Sequence, residues 1–255
     1  ILSPMVEDAK EAVGSMGDDA PLAVLSDQYR PLSHFFRQNF SQVTNPPIDS
    51  LREERVMSLK TRFRNLGNVL ATDESQTEVY VLEGPCISTG MYSRMKEHLE
   101  GRFYEIDCVF ETNGDGTAKP GALKAALDRI RAEAEDAVRQ GYSHLILTDE
   151  RIGRSFAAVP MILATGGVHA HLVSKGLRTF TSIIVRSAEC LDPHYFACLI
   201  GVGATVVNAY LAQESIADRH GRGLFGDRQL GPCVKSFMDA IHAGLLKIIS
   251  KMGIS

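Results

Sequence analysis

The sequence predicts an α/β fold, a mostly parallel sheet flanked by helices and arranged as a degenerate (β/α) barrel-like domain with fewer than eight strands. Three observations lead there. Short β-branched or apolar runs alternate with longer amphipathic ones, the order that βαβ crossovers produce. Several of the short runs are almost continuously hydrophobic, as parallel strands read when both faces are covered. Only six such runs can be found, where a closed barrel needs eight.

Taken in order, the expected strands are LAVLS (22–26), EVYVL (78–82), EIDCVFE (105–111), HLILTD (144–149), TFTSIIVRS (179–187) and ATVVNAY (204–210). Between them, GALKAALDRIRAEAEDAVRQG places Leu123, Leu127, Ile130, Ala134, Ala137 and Val138 at helical spacing. Arg129 with Glu133, and Arg131 with Glu135, fall four apart on its outer face. Gly141 is a plausible stop. The run AAVPMILATGGVHAHLVSKG reads as a second helix, with Pro160 near its first turn and Gly176 at its end. Asp192 before Pro193 reads as a cap and first position of a third. In FACLIGVGATVVNAYLAQE a helix ends on Gly201, Gly203 turns, and a buried strand begins.

The first 70 or so residues differ in character. They hold one short strand and two helices separated by the corner Thr44-Asn45-Pro46-Pro47. Asn45 is pushed to an extended conformation by the proline that follows it, and the two prolines fix φ. Ser50 and Glu53 match the S-x-x-E capping box, so a helix is expected to start there. The corner is stiff by construction.

Composition excludes several classes of function. The chain has 255 residues, 44% hydrophobic and 23% charged, with a formal net charge of -4. That is ordinary globular composition, long enough for a sizeable core and without the basic footprint that nucleic acid requires. Five cysteines at wide spacing form no CxxC pair, which argues against a disulfide framework or zinc site and suits a reducing, cytoplasmic compartment. No apolar run approaches a membrane span, and the acidic start ILSPMVEDAK is unlike a signal peptide. No nucleic-acid or membrane partner is expected. The missing initiator Met and the abrupt SKMGIS end lead to the expectation of a piece cut from something longer.

The short motifs give little chemistry. GRGLFG (221–226) satisfies G-x-G-x-x-G but follows the polar IADRH instead of a strand, so a surface loop is expected. His169 and His171 sit two apart, and on a helix such a pair faces two directions rather than one metal. TNGDGTAKPG lacks the alternating carboxylates and closing Glu of a calcium loop, leaving a solvated turn. Strand ends deserve more weight, because α/β sites form at the carboxyl edge of the sheet. Asp149 and Glu150 end one strand, Arg186 and Glu189 follow a second, and Asn208 lies in a third. Together they would make either a substrate-binding mouth with a general base or a set of mutually paired charges closing the sheet end.

Four long strings carry a family resemblance: GSMGDDAPLAVLSD (14–27), FSQVTNPPIDSLRE (40–53), GVGATVVNAYLAQE (201–214) and GLLKIISKMGIS (244–255). With them the chain resembles the glutamate synthase central domain, of the bacterial, pyridine-nucleotide-dependent large subunit, over nearly its whole length and least at 83–120. The resemblance implies one central domain over 1–255, with an N-terminal segment at 1–70, an α/β core at 71–243 and the start of the following FMN-bearing barrel at 244–255. It also implies a role. In that family a glutaminase domain and an FMN and iron–sulfur synthase domain lie on the same polypeptide, joined by a small subunit, and convert L-glutamine and 2-oxoglutarate into two L-glutamates. Ammonia passes between the two sites through an internal tunnel.

Little catalytic chemistry carries over to this stretch. None of the five cysteines matches the glutaminase nucleophile or the cluster ligands, so neither catalytic residue nor cofactor is expected here. What does carry over is the corner. Thr44 and Asn45 are implied as sparse polar lining of the tunnel wall, with Pro46 and Pro47 holding its shape. The alternative is a self-sufficient α/β-barrel enzyme or small-ligand binder using Asp149, Glu150, Arg186 and Asn208.

Overall fold

The structure, a computed structural model, describes residues 1–12, 25–36, 56–63, 70, 74 and 79–252. The Thr44–Pro47 corner, the Ser50/Glu53 capping box and most of the expected strand at 22–26 lie outside the described residues.

A four-stranded parallel sheet organises the rest. Its strands are β3 (Phe103–Asp107), β5 (His144–Thr148), β7 (Ser182–Arg186) and β8 (Val206–Asn208), and they pair in chain order, β3-β5-β7-β8. Helices α3 (Ala122–Arg139), α4 (Met161–Ser174) and α5 (Pro193–Gly201) make the three crossovers. Strands laid down in sequence order, with their helices packed as successive neighbours, are the winding of a barrel wall. A parallel bridge from Cys86 to Val207 adds a further rung beside β8, reinforced by Ile87 N–H donating to the Val207 carbonyl. The fold class is the one the sequence predicts.

The two faces of the sheet bury different partners. Leu145, Leu147, Ile183, Val185 and Val207 face the large core, with Ile130, Ala134, Val168, Leu172, Phe196 and Leu199 from the crossover helices. Their neighbours Ile146, Ile184 and Val206 face the other way, as a two-residue strand repeat demands. That second face is covered by α2 (Thr89–His98) and a small antiparallel pair, β1 (Thr61–Phe63) and β2 (Tyr80–Leu82). Phe63, Ile87, Tyr92 and Met95 fill it. The side that would be a closed barrel's interior is therefore plugged by a helix and a two-stranded flap. Outside the main core, α7 (Leu230–Met252) lies against α1 (Leu2–Glu7), α5 and α6 (Tyr210–Gly221). It buries Cys233, Phe237, Ile241 and Leu245 and runs across position 244 without a break.

Two local end signals of helices held. Asp192 accepts from Tyr195 N–H at 2.9 Å with Pro193 in the first turn, and Gly141 follows α3 with φ of 93°, a conformation that excludes most side chains. Three readings need correction. The run 105–111 is not one strand: Cys108 interrupts it, bonding through its N–H to Thr148 and through its carbonyl to Val159. Beyond it, β4 (Val109–Glu111) pairs antiparallel with β6 (Phe156–Ala158), which no periodicity announced. Leu123 is 37% exposed instead of buried, because it stands in the first turn of α3, ahead of the sheet contact. Arg131 pairs with Asp128, not Glu135. Glu135 is held by Arg139 at 2.7 Å and by His171 of α4 at 2.7 Å, both nearer.

Candidate functional site

The carboxyl edge of the sheet gathers the residues that the sequence singled out. Arg186 ends β7, Asn208 ends β8, and Asp149 and Glu150 follow β5, so parallel register delivers all four to one edge. Arg186 is the hub. It donates from Nη1 to Asn208 Oδ1 at 2.7 Å and from Nη2 to Glu150 Oε1 at 2.6 Å. Its guanidinium lies between two tyrosine rings, 4.6 Å from the centroid of Tyr92 and 4.9 Å from that of Tyr210, a stacked arrangement that stabilises a poorly solvated cation. Arg186 Nε is buried with no hydrogen-bond partner among the described residues.

Electrostatics follow from that packing. Burial works against the Arg186 charge, and the Glu150 hydrogen bond and charge outweigh it, holding the group above its usual range. The same hydrogen bond draws the Glu150 carboxyl below the usual carboxylate range. Asp149 behaves in the opposite way. It is wholly buried, and desolvation pushes its carboxyl up from 3.8 to about 6, in spite of the Ala188 N–H and Tyr210 hydroxyl that donate to it. Ala188 N lies 3.0 Å from both of its oxygens. Glu189 turns away from this cluster, accepting from Tyr195 Oη at 2.5 Å and from Met161 N at 2.9 Å, which ties the start of α4 to the end of β7.

Tyr92 and Tyr210 were not singled out from the sequence. Tyr210 stands two residues beyond Asn208 and shared its strand-end signal. Tyr92 comes from α2, 94 positions before Arg186 in the chain, and only the tertiary fold brings it there. Gln213 was also missed. It accepts from Thr89 N–H at 2.8 Å and donates to the Ile87 carbonyl at 3.0 Å, where Asn208 Nδ2 donates as well. The plug on the sheet's second face is thus tied to the same edge.

The remaining motifs carry structure. His169 Nδ1 accepts from Arg178 Nε at 3.0 Å while His171 meets Glu135, so the two rings diverge as their spacing requires. Among the described residues no group of three His, Cys, Asp or Glu side chains is placed to hold a metal. GRGLFG begins on the last residue of α6 and continues as a turn. Asp115 folds TNGDGTAKPG into a turn by accepting from Thr117 N–H at 2.8 Å and Thr117 Oγ1 at 2.6 Å. All five cysteines are free thiols, and burial pushes the half-buried Cys198 up to about 11. Burial likewise pushes Cys86, Cys108 and Cys190 up, away from thiolate character. Among the described residues no helix is long and apolar enough to cross a membrane.

Comparison with known proteins gives this architecture its relatives. The chain is 63% identical over 255 residues to the glutamate synthase [NADPH] large chain of Azospirillum brasilense, covering 100% of this chain and 17% of that one. It is 38% identical over 256 residues to the glutamate synthase [NADPH] large chain of Bacillus subtilis, covering 100% and 16%. The ferredoxin-dependent glutamate synthase of Spinacia oleracea is 36% identical over 272 residues, at 100% and 16% coverage. The chain thus spans about a sixth of the length of these relatives. The family described as the glutamate synthase central domain matches residues 1–255, from end to end. The chain belongs to the glutamate synthase central domain family.

Proposed function

We propose that this chain is the non-catalytic connecting domain of a glutamate synthase large chain. In this role it scaffolds a glutaminase site and an FMN-dependent synthase site on the same polypeptide and forms part of the ammonia tunnel between them. The parent reaction would take L-glutamine, 2-oxoglutarate and reductant to two L-glutamates, with a small subunit as a further partner. FMN and the iron–sulfur cluster belong, on this reading, to the adjoining synthase domain. The organisation that goes with it is an N-terminal segment at 1–70, an α/β core at 71–243 and, from 244, the lead into the FMN-bearing barrel. Helix α7 carries the chain across that last boundary.

One observation favours a scaffold over a self-sufficient enzyme at the sheet edge: apart from Arg186 Nε, the polar groups there are largely spent on each other. Both Nη groups of Arg186 are taken by Glu150 and Asn208, both faces of its guanidinium are covered by tyrosine rings, and Asp149 is sealed under Ala188 and Tyr210. A phosphate or carboxylate would find no open seat on such a hub. The edge is better suited to locking α2 onto the sheet than to turning over a substrate.

Tunnel lining is assigned to Thr44, Asn45, Pro46 and Pro47. Ammonia must stay neutral in transit, so its wall needs few hydrogen-bonding groups and no strong acid to trap ammonium. A diproline turn restricts backbone motion at small entropic cost. Two sets of variants in the intact polypeptide test the assignment. Glu150→Gln at the sheet edge is expected to leave glutamine-dependent turnover near the parent value. Asn45→Trp is expected to let glutamine hydrolysis continue while glutamate synthesis from it falls and ammonia escapes to solvent. Loss of turnover in Glu150→Gln with full coupling in Asn45→Trp would reverse the assignment.

A further inference from the structure

The sheet has a second end, and a cavity opens there that the scaffold role does not use. It lies at the amino edge, where β5 begins, between the β1–β2 flap and the last turn of α2. Its volume is about 240 Å³, and it is lined by Phe63, Tyr80, His98, Arg102 and His144, with Val79 and Leu99 completing it. Among the described residues no Asp or Glu lines it. Arg102 brings a guanidinium to it, His98 an imidazole and Tyr80 a phenol.

We infer that this cavity seats a small organic oxyanion: one carboxylate or phosphate head on a flat apolar body of about one ring. Arg102 supplies the fixed charge. Its Nε donates to the Leu99 carbonyl at 3.2 Å, which anchors the side chain at the end of α2. Both Nη groups remain without a hydrogen bond among the described residues. A guanidinium held by one edge, with the other edge uncommitted, matches the two-oxygen fork of a carboxylate or phosphate. His98 lies in the same last turn of α2, with its ring 5.2 Å from that of Tyr80.

The apolar half of the assignment comes from the walls. Phe63 stands 5.2 Å from Tyr80 in a tilted contact and 5.6 Å from His144 edge to face. The rings therefore form a continuous lining with Phe63 at its centre. Rings in tilted and edge-on arrangement accept a further flat body by the same quadrupole preference. His144 is held in orientation by Ser143 Oγ, 2.9 Å from its Nδ1. At about 240 Å³ the space is below the ~300 Å³ at which drug-sized pockets begin, and above the ~150 Å³ that admits benzene. That range fits one ring with a small head.

Hydrogen exchange measured by mass spectrometry on the intact polypeptide tests this with a local readout, in peptides spanning 98–104 and 143–148. The probes are benzoate, phenyl phosphate and inorganic phosphate alone. The inference expects saturable protection of both peptides by at least one ring-bearing acid, and the tighter of the two identifies the head. The double variant Arg102→Ala/His98→Ala should weaken that binding roughly tenfold or more, since charge-assisted contacts are lost. Both side chains are exposed, so the variant is expected to keep its fold, checked by unchanged exchange in α7. No saturable protection would overturn the site. Equal protection in the double variant would do the same, and inorganic phosphate binding as tightly as phenyl phosphate would remove the flat body from the assignment.

Discussion

Asp149 shows how a single residue at this edge sets a pH dependence. Its carboxyl titrates near 6 when folded, against an ordinary 3.8, so the folded state binds the proton more tightly than the unfolded chain does. The stability this contributes is fully present below about pH 4 and is lost as pH rises through about 6, on the order of 3 kcal/mol in total. Asp149→Asn keeps an acceptor for Ala188 N–H and cannot ionise. Urea unfolding at pH 4 and pH 7 should therefore show the parent losing more stability between the two than the variant does. Parallel pH dependences would refute the assignment. Arg186 and Glu150 give an asymmetric pair. Glu150 is 45% exposed and Arg186 9%, so Glu150→Gln should cost about 1 kcal/mol or less. Arg186→Ala strips two tyrosine faces and the Asn208 bond from a buried site and should cost ~3 kcal/mol or more. The four strand-end residues were legible in the sequence because parallel strands deliver their ends to one edge. What they do there was not, because Tyr92 reaches them from a different layer.

At the scale of elements, the amphipathic helices and buried strands were readable because each rests on a short period in a contiguous run. The β4–β6 pair was not. It consists of two three-residue strands, too short for alternation to register, and it exists because Cys108 ends one ladder and starts another. Close packing between helices was equally silent. Gly244 of α7 sits where an added Cβ would come within 2.5 Å of the Pro193 ring at the start of α5. Alanine would gain up to ~1 kcal/mol of helix propensity, yet the proline ring cannot swing aside and overpacking costs roughly 1–3 kcal/mol. Gly244→Ala is thus expected to lower the melting temperature of the intact polypeptide. An unchanged or higher value would mean that α5 and α7 slide apart without penalty, and that the helix–helix contact contributes little.

At the scale of the whole molecule, the pieces are in keeping with the proposed connecting role. Four parallel strands wound in barrel order, with their second face plugged by α2 and the β1–β2 flap, give a rigid body. The sheet face that a closed barrel would turn inward is packed, and the strand-end charges of Arg186 and Glu150 pair with each other. Fold class was readable from strand count and run composition. The family was readable from long strings, and the matching of residues 1–255 confirms it. The Thr44–Pro47 corner, on which the proposed conduit role depends, lies outside the described residues, so its test is functional. The most direct one follows isotope through the intact polypeptide: glutamine labelled with ¹⁵N in its amide, in the presence of excess unlabelled ammonium. The account predicts that the glutamate built on 2-oxoglutarate, told apart from the glutamine-derived one by ¹³C in the oxoacid, carries undiluted ¹⁵N in the parent, and diluted ¹⁵N once Asn45→Trp blocks the wall. Undiluted label in both would contradict it.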